Sequence, residues 1–67
     1  MKIKDTKIKS LTVQERKIFD LIQGGASNQE ISNEFHIELS TVKSHVTNIY
    51  SKLKVKSRRE AINIKIK

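Results

Sequence analysis

Between positions 40 and 51 the chain sets small hydrogen-bonding side chains and one cation along a single side of a helical pattern: Ser40, Lys43, Ser44, Thr47, Asn48 and Ser51. At about 100° per residue, Val42, Val46, Ile49 and Leu53 fall within an arc of roughly 60° on the opposite side. The chemistry open to such a polar side is recognition rather than bond breaking. Hydroxyls and amides allow close approach to base edges, and a lysine ammonium donates to guanine acceptors or to phosphates. A helix about 10–12 Å across also fits the major groove of B-form DNA. Reaction chemistry has little to stand on. His36 and His45 are the only imidazoles, and no His-x3-His or similar spacing joins them. Cysteine is absent, which removes disulfides and thiolate zinc sites. No nucleophile, base and orienting group can be assembled from the serines and the one tyrosine. The expectation is a chain that is not an enzyme and holds no metal or cofactor.

Positioning these side chains falls to four helices, expected at about 13–23, 28–35, 39–53 and 58–66. Thr12-Val13-Gln14-Glu15, Ser27-Asn28-Gln29-Glu30 and Ser57-Arg58-Arg59-Glu60 all have the capping-box pattern, a hydroxyl with a carboxylate three residues on. Ile18, Leu21 and Ile22, widened by Phe19, make the apolar stripe of the first helix, with Leu11 stapled in front of it. Gly24-Gly25 ends that helix, because glycine tolerates the left-handed C-cap conformation. Ile31 and Phe35, four apart, make the buried face of the second, and Ile37 plugs the turn that follows. The third helix has the weakest start, with Glu38 or Ser40 as its cap. The last runs through Ala61 and Ile62 to Ile66, although the alternating end INIKIK can also fray. Phe19 and Phe35 are core residues on this reading, and Tyr50 is a half-buried wedge between helices.

Sixty-seven residues make one small domain or a fragment of something larger, and a chain of this size buries only about 60% of the surface its unfolded form exposes. The formal charge of +7 is unevenly spread. Residues 43–67 hold eight basic side chains against Glu60 alone, and no acid lies between Glu38 and Glu60. Residues 11–42 are net acidic. A basic stretch free of acids attracts polyanions by releasing their counterions, whatever sequence they carry. Residues 1–10, MKIKDTKIKS, read as a basic flexible arm, and 11–67 as the domain. No apolar run approaches the ~18–20 residues that span a bilayer, and the start lacks the apolar stretch of a signal peptide. A cytoplasmic, nucleoid-associated protein without a membrane partner is expected.

Two short helices joined by a turn, the second polar and free of acids outside, form a helix-turn-helix pattern. Ser27 and Asn28 begin the first of the pair, where unpaired N–H groups and the helix dipole favour a phosphate. At these residues the chain resembles a family. Leu11-Thr12, Glu15, Ile18-Phe19, Leu21-Ile22, Gly24, the run SNQEI at 27–31, Ile37, the run TVKSHVTNIYSKL at 41–53, Val55, Arg58 and Ala61 are similar to the LuxR-type (GerE or NarL/FixJ-type) DNA-binding domain. The resemblance covers residues 11–62. It implies an all-α, four-helix bacterial domain that binds promoter DNA as a transcription regulator, usually as a homodimer. Family members of this free-standing, GerE-like length lack a sensor domain, and others carry the module behind a receiver or ligand-binding domain.

By position, the resemblance places Lys43, Ser44 and Thr47 at base edges, with Asn48 beside them. Ser27, Asn28, Ser40, Thr41, His45 and Lys52 take the phosphate contacts or their supports. Ala61, Ile62, Asn63 and Ile64 correspond to the dimerisation element. Glu38 departs from the family's usual Ser or Thr cap, Gln14 from a frequent Arg, and Lys54 from a frequent Gly. Glu15 serves as a cap or as the partner of a basic residue such as Lys52. Arg58 either holds the last helix through carbonyls or acids, or touches DNA. The rival reading is a helix-turn-helix module that docks on RNA polymerase or another regulator. Such a surface needs large apolar anchors, and the outer side of the third helix has none.

Overall fold

Three hydroxyl side chains set the starts of three of the helices. In the computed structural model, which describes residues 10–64, Thr12 Oγ1 accepts from the Glu15 amide at 3.1 Å and Glu15 Oε1 accepts from the Thr12 amide at 3.0 Å. This box opens α1, Val13–Gln23. The same reciprocal pair, Ser27 Oγ with the Glu30 amide at 3.1 Å and Glu30 Oε1 with the Ser27 amide at 2.8 Å, opens α2, Asn28–Phe35. Each box satisfies amides that the first helical turn leaves without partners. The long helix α3, Leu39–Leu53, starts at Glu38 with no side-chain cap. Ser57 Oγ accepts from the Glu60 amide at 3.2 Å and opens α4, Arg58–Ile62. Here the expected box is altered, because Glu60 Oε1 takes the Lys56 amide, at 2.8 Å, instead of that of Ser57.

The ends of the helices show which turns the fold needs. Gly24 stays in the right-handed region, and Gly25 supplies the left-handed step at φ 97°. A Cβ at Gly25 meets nothing within 4 Å, so the cost of replacing it lies in the backbone alone. α2 closes on His36 and α3 on Lys54, both left-handed at φ 57° and 61°. The turn between α2 and α3 is locked by Ser32, whose hydroxyl donates to the Ile37 carbonyl at 2.6 Å while the Ile37 amide returns to the Ser32 carbonyl at 3.2 Å.

α3 packs against α1 and α2 and touches α4, while α4 also leans on α1. One core results, made of Leu11, Ile18, Phe19, Ile22, Ile31, Val42, Val46, Ile49, Leu53 and Ala61. Leu11 lies within it. Phe35, expected in the interior, sits half-buried at its rim together with Ile37 and Tyr50, since it is the last residue of α2. The last helix is shorter than expected. It ends at Ile62, with Asn63 as its cap, and Gln23 of α1 ties that end by donating to the Ala61 carbonyl, which also accepts from the Ile64 amide. The expectations for residues 1–9 and 65–67, including the arm and Ile66, lie outside the described residues. Among the described residues all regular structure is helical, in four helices.

Candidate nucleic-acid interface

The stripe that buries α3 determines what α3 shows outside. Val42 and Ile49 are fully enclosed, and Val46 and Leu53 nearly so. Their common direction turns Ser40, Lys43, Ser44, Thr47, Asn48 and Ser51 outward, all exposed. Taking Lys43 as the origin and about 100° per residue, Thr47, Ser40, Ser51, Ser44 and Asn48 follow at roughly 40°, 60°, 80°, 100° and 140°. Lys43, Ser44, Thr47 and Asn48 together line one shallow open depression. No hydrogen bond or ion pair among the described residues engages any of these four side chains. Their donors and acceptors are therefore available to an outside partner. The sequence places no acid along the whole of α3.

The residues expected at phosphates divide by what the fold already asks of them. Ser40 and Thr41 are exposed in the first turn of α3, which has no side-chain cap on its amides. The helix dipole makes that uncapped end partly positive. Ser27 spends one acceptor on the Glu30 amide and keeps its hydroxyl proton as a donor. His45 is half-buried at the edge of the stripe. Asn28 Oδ1 accepts from Arg58 Nη1 at 3.0 Å. Lys52 is committed inward. Its Nζ donates to Glu15 Oε1 at 2.7 Å and to the Ser10 carbonyl at 3.3 Å, which leaves one donor for anything else.

Glu15 is 5% exposed, the one buried carboxylate of the described residues. Burial pushes its carboxyl upward. The hydrogen bond from Lys52, the Thr12 amide, the Lys52 charge and the Thr12 hydroxyl together outweigh that and hold it below the ordinary glutamate range. The pair joins α1 to the last turn of α3, so the cap residue and the ion-pair partner are one and the same.

Two further polar ties hold α4. Arg58 donates from Nη2 to the Ala26 carbonyl and from Nη1 to Asn28, which is the carbonyl-holding role rather than free exposure. Gln23 was not singled out by its sequence context. Its Nε2 donates to the carbonyls of Ala61 at 3.1 Å and Ile64 at 2.9 Å, with a longer approach to Ile62 at 3.5 Å. Nothing local signals this role, because the partners lie 38 to 41 positions away. Of the residues expected to pair two copies, Ala61 is wholly enclosed in the chain's own core. Ile62 and Asn63 are exposed, and Ile64 packs half-buried against the core. No helix among the described residues is long and apolar enough to cross a membrane.

The family of bacterial regulatory proteins called the luxR family has a sequence model that matches residues 9–64. Response regulator proteins VraR of Staphylococcus aureus, Staphylococcus saprophyticus and Staphylococcus epidermidis are each 52% identical to the chain over 52 residues. The matched stretch is 78% of this chain and 25% of each of theirs, so the chain spans about a quarter of the length of these curated relatives.

Proposed function

The chain belongs to the luxR family of bacterial regulatory proteins, and from that premise we propose that it binds promoter DNA with α3 in the major groove. Lys43 is assigned to guanine acceptors, and Ser44, Thr47 and Asn48 to neighbouring base edges. Ser27, Asn28, Ser40, Thr41 and His45 take backbone phosphates on either side, and the open α3 N-terminus adds its dipole. Lys52 braces α3 against α1 and supplies a phosphate contact only through its remaining donor. The single observation that carries this reading is the outer side of α3. It is exposed, free of internal bonds, free of acids, and fixed in direction by the buried stripe behind it.

Two copies pairing through Ile62 and Asn63 at the end of α4 would read a repeated half-site, with centres one helical turn apart, about 10 bp, or a multiple of it. Activity in the cytoplasm, on DNA in the nucleoid and in contact with RNA polymerase, follows from the same reading, as does a role as the output part of a response regulator. Selection of bound duplexes from a random pool, repeated at two salt concentrations, tests it. A recovered motif with binding that weakens steeply as salt rises supports groove reading with phosphate contacts. Recovery of no motif, with weak binding to every sequence alike, refutes it.

A further inference from the structure

The two prongs of Arg58 are used on different elements. Nη2 meets the carbonyl of Ala26, in the connection between α1 and α2, and Nη1 meets Asn28, the first residue of α2, at 3.0 Å. A guanidinium has donors only, so the Asn28 atom facing it must be the oxygen. The side-chain amide of Asn28 is thereby turned with its Nδ2 away from Arg58. Nδ2 has no partner among the described residues. Without Arg58, either end of the amide could face outward, and half of the orientations would present an acceptor to whatever lies there.

We propose that Arg58 is a positioning residue for DNA binding: it turns Asn28 oxygen-inward, so that the amide donor faces a backbone phosphate, and it makes this contact depend on the docking of α4. The inference rests on the reading of Asn28 as a phosphate contact given above. It adds which atom makes the contact and which residue sets it. The dependence on α4 comes from that helix's length. Five residues form little more than one turn, which is not stable alone. α4 is held at its start by Arg58 on Ala26 and Asn28, and at its end by Gln23 on the carbonyls of Ala61 and Ile64. Both ties land on the segment from Gln23 to Asn28. A shift of α4, such as one imposed by pairing of two copies, therefore reaches the Asn28 amide through a single guanidinium. By linkage, DNA held at Asn28 favours the docked α4 to the same degree.

The experiment uses the full 67-residue chain and the duplex recovered from the random pool. Asn28→Ala is expected to weaken binding about tenfold, the usual worth of one hydrogen bond to a charged group. It leaves the salt dependence unchanged, since no charge is removed. Arg58→Lys keeps the charge and loses the fork, because one ammonium cannot grip both acceptors in that geometry. It is expected to weaken binding by a similar factor, again without changing the salt slope. In the Arg58→Lys background, Asn28→Ala should add less than about twofold, because the residue is already misaligned. Asn28→Asp keeps the oxygen for Arg58 and gains an ion pair at a helix start, so it should melt higher than the wild type. It should nevertheless bind DNA more weakly than Asn28→Ala, because it turns a carboxylate oxygen toward the phosphate. A merely structural Arg58–Asn28 tie predicts the opposite for binding by this variant, which also serves if Arg58→Lys folds poorly. Wild-type binding with no loss in Asn28→Ala overturns the phosphate contact itself. Binding by Asn28→Asp equal to the wild type overturns that contact as well, whereas loss in Asn28→Ala with effects that simply multiply in the double variant overturns the positioning role alone.

Discussion

Replacing Glu15 by glutamine keeps the shape of the side chain and removes its charge. In the wild type, one oxygen of this 5%-exposed carboxylate takes both the Thr12 amide at 3.0 Å and Lys52 Nζ at 2.7 Å. Glutamine still accepts from Thr12, so the capping box survives and only the ionic tie to α3 is lost. Breaking a fully buried pair by removing one partner costs about 3–5 kcal/mol. Lys52 is 36% exposed and can swing its ammonium into water, which brings the expected loss down to about 1–2 kcal/mol. For a domain of this size each kcal/mol moves the midpoint of thermal unfolding by about 4–8 °C. Urea unfolding followed by far-UV circular dichroism measures the loss. The cycle with Lys52→Met and the double variant isolates the pair. The pH dependence is the sharper test. The folded carboxyl of Glu15 is held below its unfolded value, so its contribution is complete above the usual glutamate value of about 4.3 and disappears as pH falls through the lower folded value. The gap between wild type and Glu15→Gln should therefore close on acidification. A gap that stays constant with pH, or a coupling energy near zero, would refute the argument that Lys52 is a brace.

Three other substitutions probe separate parts of the structure. Lys43→Ala removes an exposed cation with no internal partner, so it should leave unfolding unchanged and weaken binding to the selected duplex by ~1–3 kcal/mol. Equal affinity of the two proteins takes Lys43 out of the reading set. Lys54→Gly relieves a left-handed residue at φ 61° and should raise stability by up to about 1 kcal/mol in urea unfolding. No gain would mean that the lysine holds that turn by something besides its backbone. Gln23→Ala removes the side-chain donor from the Ile64 carbonyl and from the Ala61 carbonyl, which keeps the Ile64 amide, and should cost about 1 kcal/mol. Amide exchange should quicken first in residues 58–64, and protection there equal to the wild type would dismiss the tie.

The sequence by itself determined the parts of this protein that depend on neighbours in the chain. Capping boxes at Thr12 and Ser27 marked helix starts because their bonds close over three residues, and the Gly24-Gly25 break marked an end for the same reason. The stripe Val42, Val46, Ile49 and Leu53 determined the outer side of α3, since helical geometry leaves no freedom once the inner side is buried. Tertiary structure alone decided what depends on distant partners. Ala61, placed by resemblance in the dimerisation element, lies in the core, because α4 is too short to have a stripe of its own and its buried side is set by α1 and α3. Lys52 and Arg58 each left two roles open, and their direction was settled by Glu15 and Asn28, 37 and 30 positions away. Gln23 gave no sign at all, since carbonyls are present at every residue and only folding brings particular ones within reach.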